Sequence, residues 1–140
     1  MALNKKDMAQ RLNVALKQEH ACYIRYSTHA SIIVGPYSKA VEERLKEIAS
    51  DEAGHAQMLR DRIVALGEKP TLEVAEGDLR PAKTLDEILN INIEEEEKAI
   101  ALYKSIWAEI PETEVLLYET IEDIIEDEQE HKEELERLKG

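Results

Sequence analysis

Apolar residues recur every three or four positions along four stretches of the chain, which is the spacing of amphipathic helices with one buried face. These stretches cover residues 7–34, 37–66, 84–110 and 112–138, and their buried faces are expected to include Tyr23 and Leu138. The chain contains only five glycines and four prolines, and the breakers between the stretches are Gly35 with Pro36, the segment 67–81, and Pro111. The pattern predicts an all-α protein of four helices, folded as a single domain over residues 1–140.

The lengths of the connections predict how the helices are arranged. The first and third connections are tight turns, so each joins two antiparallel neighbours, whereas the middle connection has about seventeen residues. A helix of ~28 residues is ~42 Å long, and ~17 extended residues can run most of that length. We therefore expect two antiparallel hairpins joined by one long crossover, rather than a simple up-down bundle.

One glutamate interrupts the apolar stripe near the middle of every helix. In the second and fourth helices a histidine follows one turn later on the same face. The motif Asp-Glu-x-x-His thus occurs at residues 51–55 and again at 127–131, in a chain with only four histidines. The residues concerned are Glu19, Glu52, His55, Glu96, Glu128 and His131.

Counted in residues from the turns, these glutamates lie at matching levels along the bundle axis. Glu19 lies sixteen residues before Gly35 and Glu52 seventeen after it, and the pair in helices 3 and 4 is level within about a turn around Pro111. Each hairpin also repeats one pattern, because Tyr26 follows Glu19 at the same distance as Tyr103 follows Glu96. The repeat predicts that each hairpin supplies half of one site at mid-bundle.

The third helix offers two candidates, because Glu96 lies in a run of four glutamates. The phase of the apolar stripe and the distance to Tyr103 favour Glu96. The repeat distance favours Glu95, since Glu19 and Glu52 are 33 residues apart and so are Glu95 and Glu128.

Four carboxylates in a core would repel one another and lose hydration, at a cost of several kcal/mol each. Two divalent cations would balance their four negative charges. Carboxylate and imidazole ligands without a thiolate suit iron, manganese or zinc. The sequence therefore predicts a site for two metal ions.

Several nearby residues have two possible roles. Tyr26 and Tyr103 either donate hydrogen bonds to ligand carboxylates or only fill the core. Cys22 is expected as core filler, and His20 and His29 at the surface or behind the ligands. Asp51 and Asp127, which precede the ligand glutamates, are candidates to accept a hydrogen bond from a ligand imidazole across the bundle.

Composition and charge narrow the classes of partner. The formal net charge of -13 disfavours nucleic acids and anionic membranes and favours cations. The single cysteine excludes an internal disulfide and a paired-cysteine metal site. No apolar run approaches the ~20 residues of a membrane span, and the N-terminus lacks a signal-peptide pattern, so we expect a cytoplasmic protein.

With these motifs the sequence resembles the ferritin-like superfamily, and most of all the bacterioferritins, over nearly its whole length. The resemblance implies that Glu52 and Glu128 bridge two iron ions and that the terminal ligands are Glu19, Glu96, His55 and His131. It implies a ferroxidase that oxidises Fe(II) to Fe(III) with O2 or H2O2, in iron handling or oxidative-stress defence, and a homodimer or larger assembly. In this resemblance the six ligands are also the catalytic residues.

Two departures from bacterioferritins alter these expectations. Bacterioferritins bind haem through a methionine directly after the helix 2 glutamate, where this chain has Ala53, so no haem is expected. The sequence stops at Gly140 without the fifth helix that helps build their cage. Two alternative enzymes use nearly the same ligands: a rubrerythrin-like peroxidase and a manganese catalase. A third alternative is a non-catalytic helical module whose acidic core binds a structural metal such as zinc, or none, and whose surface binds a partner.

Overall fold

The computed structural model describes residues 3–140. Four helices form this part of the chain: α1 is Lys5–Ile32, α2 is Ser38–Ala65, α3 is Leu85–Trp107 and α4 is Val115–Lys139. In these residues no strand is found, and no helix combines the length and apolar character needed to cross a bilayer. The predicted all-α bundle of two hairpins with a long crossover is confirmed.

The helix ends differ from the predicted ones where side chains and turns decide them. α1 begins two residues earlier, because Asn4 Oδ1 caps it by accepting a hydrogen bond from the N–H of Asp7 at 3.0 Å. α3 ends three residues earlier, since a proline at 111 disfavours helical backbone in the residue before it. α4 begins three residues later, because the N–H of Glu114 bonds to Pro111 O at 2.9 Å and closes a turn.

The crossover, residues 66–84, runs alongside α1 in the same direction. The N–H of Thr71 donates to Asn13 Oδ1 at 2.8 Å, and one turn further the N–H of Ala75 donates to Lys17 O at 3.0 Å. A short 3₁₀ turn, Glu76–Asp78, follows. The crossover therefore returns the chain to the C-terminal end of α1, so that α3 runs antiparallel to α1.

The core consists of two apolar clusters with a polar layer between them. One cluster contains Leu12, Leu16, Leu59, Ile63, Ile106 and Ile124. The other contains Tyr26, Leu45, Ile48, Leu89 and Leu135. Burying one such leucine or isoleucine contributes ~1.5–3 kcal/mol, so the two clusters hold the four helices together on both sides of the glutamates.

Two residues of the predicted apolar stripes face solvent instead. Tyr23 is 48% exposed, because its neighbour Cys22 takes the inward position of that turn of α1. Leu138 lies in the last turn of α4 and is 40% exposed. The expectation that both lie on the buried face was wrong.

Candidate metal centre

The six side chains predicted to form the site meet in the polar layer, and each is at most 3% exposed. Their potential ligand atoms form two sets, and within each set the atoms lie within 4.8 Å of one another. The first set is Glu19, Glu52, His55 and Glu128. The second set is Glu52, Glu96, Glu128 and His131. Glu52 and Glu128 belong to both sets, so the two candidate positions for a metal ion are adjacent and share these residues.

Each histidine is oriented by an aspartate from the opposite helix. His55 Nε2 lies 2.8 Å from Asp127 Oδ2, and His131 Nε2 lies 2.9 Å from Asp51 Oδ2. These are the cross-bundle hydrogen bonds for which the two aspartates were candidates. Since Nε2 donates outward, Nδ1 points inward, and His55 Nδ1 lies 3.1 Å from Glu52. Such a carboxylate partner fixes the ring and makes the inward nitrogen a better metal ligand.

Two buried tyrosines donate hydrogen bonds to glutamates on a neighbouring helix. The Tyr26 hydroxyl lies 2.5 Å from Glu96 Oε2, and the Tyr103 hydroxyl lies 2.6 Å from Glu19 Oε2. Of the two roles open to these tyrosines, the structure therefore shows the hydrogen-bonding one. Each bond holds one oxygen of its glutamate, and the other oxygen, Oε1, is buried without a hydrogen-bond partner.

The unpaired polar atoms of the described chain are concentrated at this centre. Seven buried side-chain nitrogen or oxygen atoms in residues 3–140 lack a hydrogen-bond partner, and six of them belong to the layer. They come from Glu19, Glu52, His55, Glu96 and Glu128. An unsatisfied buried polar atom costs ~1–3 kcal/mol. Acceptor oxygens and an imidazole nitrogen facing one another fit divalent cations, which would satisfy them together.

The carboxyl groups of the layer differ in their affinity for protons. Burial, together with the charge of Glu52, raises the pKa of Glu19 to about 7 and raises that of Glu96. Burial and the same neighbour raise the pKa of Glu128 well above its ordinary value. Burial also opposes ionisation of Glu52, but the neighbouring His55, His131 and Glu128 outweigh it and lower the pKa. Of Glu52 and Glu128, the two glutamates that belong to both sets of ligands, Glu128 therefore carries the proton.

The two histidines hold protons because carboxylates surround them. Burial lowers the pKa of both rings, but the neighbouring glutamates outweigh it. The carboxylates of Glu19 and Glu52, 3.4 and 3.1 Å from Nδ1, raise the pKa of His55 to about 12. The carboxylates of Glu96 and Glu52, 3.6 and 3.7 Å from Nδ1, raise the pKa of His131 to about 9. In the metal-free protein the negative charge of the layer is therefore largely offset by protons.

Of the two glutamates that competed for the third helix, Glu96 lies in the layer and Glu95 does not. Glu95 points to the other side of α3, where its carboxylate lies 3.7 Å from Arg25, 3.1 Å from Arg80 and 3.2 Å from Lys98. The repeat distance of 33 residues misleads at this point because the turn between α3 and α4 is two residues longer than that between α1 and α2, whereas the helical part between the two glutamates is three residues shorter, so the matching distance is 32. The phase of the apolar stripe was the better guide.

The sequence reasoning missed a buried arginine next to the layer. Arg25 is 2% exposed, and its Nε donates to Asn92 Oδ1 at 2.8 Å while Nη1 donates to the carbonyl of Asp78 at 3.0 Å. Its Nη2 donates to Cys22 Sγ at 3.4 Å. A signal was present, because Arg25 follows Cys22 by three residues and so shares its inward face.

The remaining histidines lie outside both sets of ligands. His29, expected at the surface or behind the ligands, is 1% exposed and bonds to Asn92 and the carbonyl of Arg80. His20 is partly buried, and its Nδ1 lies 2.7 Å from the carbonyl of Glu73. His20 therefore holds the crossover against α1, and His29 holds both the crossover and α3 against α1.

The protein is thus an antiparallel helical bundle with a buried cluster of carboxylates and histidines at its centre that could hold metal ions. The chain belongs to the ferritin-like domain family, which matches residues 9–139. No curated protein matches the sequence.

Three solved structures show the same fold at 26–29% identity. A ferritin-like, diiron-carboxylate protein from Bacillus anthracis has a TM-score of 0.91 at 29% identity, with 100% of both chains covered. A dodecameric thioferritin, the bacterioferritin-related protein from Bacteroides fragilis, has a TM-score of 0.88 at 27% identity, covering 96% of this chain and 85% of that one. The Desulfovibrio desulfuricans bacterioferritin, which has a diiron site, has a TM-score of 0.84 at 26% identity, covering 99% and 83%.

Proposed function

We propose that this protein is a ferroxidase-like oxidoreductase that binds two iron ions and oxidises Fe(II) to Fe(III) with O2 or H2O2, in iron handling or oxidative-stress defence. The observation that carries the proposal is the pair of four-residue sets that share Glu52 and Glu128. Carboxylates of this number stabilise the ferric product, because a higher metal charge gains more from anionic ligands.

In this proposal each residue of the layer has a defined task. Glu52 and Glu128, which belong to both sets, would hold both ions, while Glu19 with His55 and Glu96 with His131 would each complete the ligands of one ion. The two ions, when bound, supply the electrons that reduce the oxidant. The protein orients the ligands through its tyrosines and aspartates and keeps water out with the apolar clusters above and below.

The solved relatives support iron as the metal and self-association as the state of the protein. The Bacillus anthracis and Desulfovibrio desulfuricans proteins are described as diiron proteins, and the Bacteroides fragilis protein as a dodecamer. We propose the same metal here, a homodimer or larger homo-oligomer, and a cytoplasmic location. The acidic surface suits iron ions as the partner better than nucleic acid.

An aerobic titration of the metal-free protein with Fe(II) tests the proposal. Ferric absorbance should rise in a fast phase that ends at about two iron ions per chain, one for each set of ligands. Glu96→Gln should abolish the fast phase, whereas Glu97→Gln, which changes the exposed neighbour, should retain it. A folded, metal-free protein without a fast phase would contradict the ferroxidase proposal.

A further inference from the structure

A chain of hydrogen bonds joins α1, α3 and the crossover outside the carboxylate layer. Arg25 Nε donates to Asn92 Oδ1 at 2.8 Å, and Asn92 Nδ2 lies 3.0 Å from His29 Nδ1. His29 Nε2 lies 2.8 Å from the carbonyl oxygen of Arg80 in the crossover. Arg25, Asn92 and His29 are at most 2% exposed, so their polar groups depend on one another for partners.

Arg25 sets the direction of every bond in this chain. A guanidinium in a protein keeps its protons, so Nε can only donate and Asn92 must turn its amide oxygen toward it. Asn92 Nδ2 then faces His29 and also donates to the carbonyl of Ile88 at 2.8 Å. His29 Nδ1 must therefore accept, which places the single ring proton on Nε2, where it bonds to Arg80. The arrangement requires a neutral His29 in one particular tautomer.

A second proton on the His29 ring has no acceptor in this arrangement. It would sit on Nδ1 and point at the amide hydrogens of Asn92, 3.0 Å away. Turning the amide over only moves the conflict, because Nδ2 would then face the N–H of Arg25. Burial accordingly lowers the pKa of His29, and the charge of Arg25 lowers it further, although the bond to the Arg80 carbonyl opposes this.

The charged side chains around the ring do not compensate a second proton. Three cations and three carboxylates from α1, the crossover and α3 are paired with one another, namely Arg25, Arg80, Lys98, Asp78, Glu94 and Glu95. The nitrogens of the His29 ring contact Asn92 and Arg80, and no carboxylate of residues 3–140 pairs with them. A charged ring is therefore stabilised only by water, which reaches it when a covering segment moves away.

The crossover is the covering segment that can move most easily. α1 and α3 share the buried apolar cluster that contains Tyr26 and Leu89. In the crossover, Leu79 and Pro81 are exposed, and a cleft of about 160 Å³ next to His29 is lined by these residues and α1. This end of the crossover is attached through polar bonds such as the one between His29 and the carbonyl of Arg80.

We propose that His29 makes the attachment of the crossover sensitive to pH: the neutral ring holds residues 78–81 against α1 and α3, and protonation of the ring in mildly acidic solution releases them. In the released state the ring has its ordinary affinity for protons. Release should therefore become up to about tenfold more frequent for each pH unit below about 6.5. The carboxyl groups of the layer act in the opposite direction, because burial makes the folded chain hold their protons more tightly.

Amide hydrogen exchange of the metal-free protein at about pH 7 and about pH 5.5 tests this inference. The N–H groups of Asp78 and Leu79 bond to the carbonyls of Ala75 and Glu76 and report on the released segment. Their protection factors, which are corrected for intrinsic exchange, should fall by about threefold to tenfold at the lower pH. Protection factors that are constant or rise would overturn the inference.

His29→Gln is the decisive variant. The neutral amide can accept from Asn92 through Oε1 and donate to Arg80 through Nε2, so the protection factors should no longer fall with pH. Because this variant retains Asp78 and Glu95, it separates the histidine from these carboxylates. His20→Gln is the matched control, since His20 also bonds to a carbonyl of the crossover, and it should retain the pH dependence. A folded His29→Gln variant with the full pH dependence would overturn the inference.

The ring of His29 in the unaltered protein gives a second test that requires no variant. Its nitrogen chemical shifts in NMR spectra should show a neutral ring with the proton on Nε2 at about pH 6.5, where a free histidine is half protonated. A ring that is half protonated at this pH or above, or that carries its proton on Nδ1, would overturn the inference even if the variant does not fold.

Discussion

Raising the pH should destabilise the metal-free protein, because its buried centre holds protons that the unfolded chain releases. His55 and His131 have pKa values of about 12 and about 9 in the folded chain, against an ordinary value of 6.5. Burial also raises the pKa of Glu128 well above its ordinary value, which acts in the same direction. The folded state binds more protons than the unfolded state above neutral pH, so its stability falls as the pH rises.

The size of the effect follows from the number of extra protons. Each proton held only by the folded state makes the free energy of unfolding fall by about 1.4 kcal/mol per pH unit. The two histidines therefore give about 2.7 kcal/mol per pH unit between about pH 7 and 8.5, where the unfolded rings are mostly neutral. For a chain of this size ~1 kcal/mol shifts Tm by roughly 3 °C, so the two histidines alone should lower Tm by roughly 8 °C per pH unit, and the proton on Glu128 adds to this fall.

Thermal unfolding of chelator-treated protein, followed by circular dichroism at constant ionic strength, measures this slope. Protein loaded with Zn(II) is the first control, and its slope should be much smaller because the ligands have already released their protons. His131→Gln should reduce the slope of the metal-free protein, whereas His20→Gln, outside the layer, should retain it. A Tm that is constant or rises between about pH 7 and 8.5 would refute the claim that the folded metal-free protein binds more protons than the unfolded chain.

Three substitutions give further tests. Glu128→Gln should leave the Tm of the metal-free protein within a few degrees, because the carboxyl is already protonated, yet prevent binding of two ions in calorimetry. Asp127→Asn should weaken Zn(II) binding by about 10–100-fold, since the His55 ring loses its acceptor, whereas Asp123→Asn on the exposed side of the same helix should not. Tyr103→Phe removes the hydrogen bond to a buried carboxyl, so it should cost the metal-free protein about 1–3 kcal/mol in urea unfolding.

The helices and the six central side chains were predictable because both depend on local spacing. A residue's position around a helix follows from counting, so the apolar stripe placed Glu52 and Glu128 inward and favoured Glu96 over Glu95. The matched distances from Gly35 then placed the glutamates at one height. The predicted six residues do meet in the folded chain, and their role as metal ligands stays a proposal.

The surroundings of the site were harder to predict because they depend on contacts between distant segments. An arginine in a helix usually lies at the surface, and Arg25 is buried only because the crossover offers the carbonyl of Asp78 and α3 offers Asn92. His29 is buried for the same reason. Partners that are more than fifty residues apart leave no periodic pattern in the sequence.

The crossover also limits how two copies of this chain can exchange parts. A hairpin swap needs a hinge that opens without breaking many contacts. Hydrogen bonds attach the crossover to α1 from Lys69 to Arg80. The carbonyl of Lys69 accepts a hydrogen bond from Asn13, and the carbonyl of Arg80 bonds to His29. Only residues 81–84 remain as hinge before α3 begins, and they start with a proline. Because this stretch is so short, the second hairpin of each copy stays packed on the first hairpin of the same copy. Copies of this chain should therefore associate without exchanging hairpins.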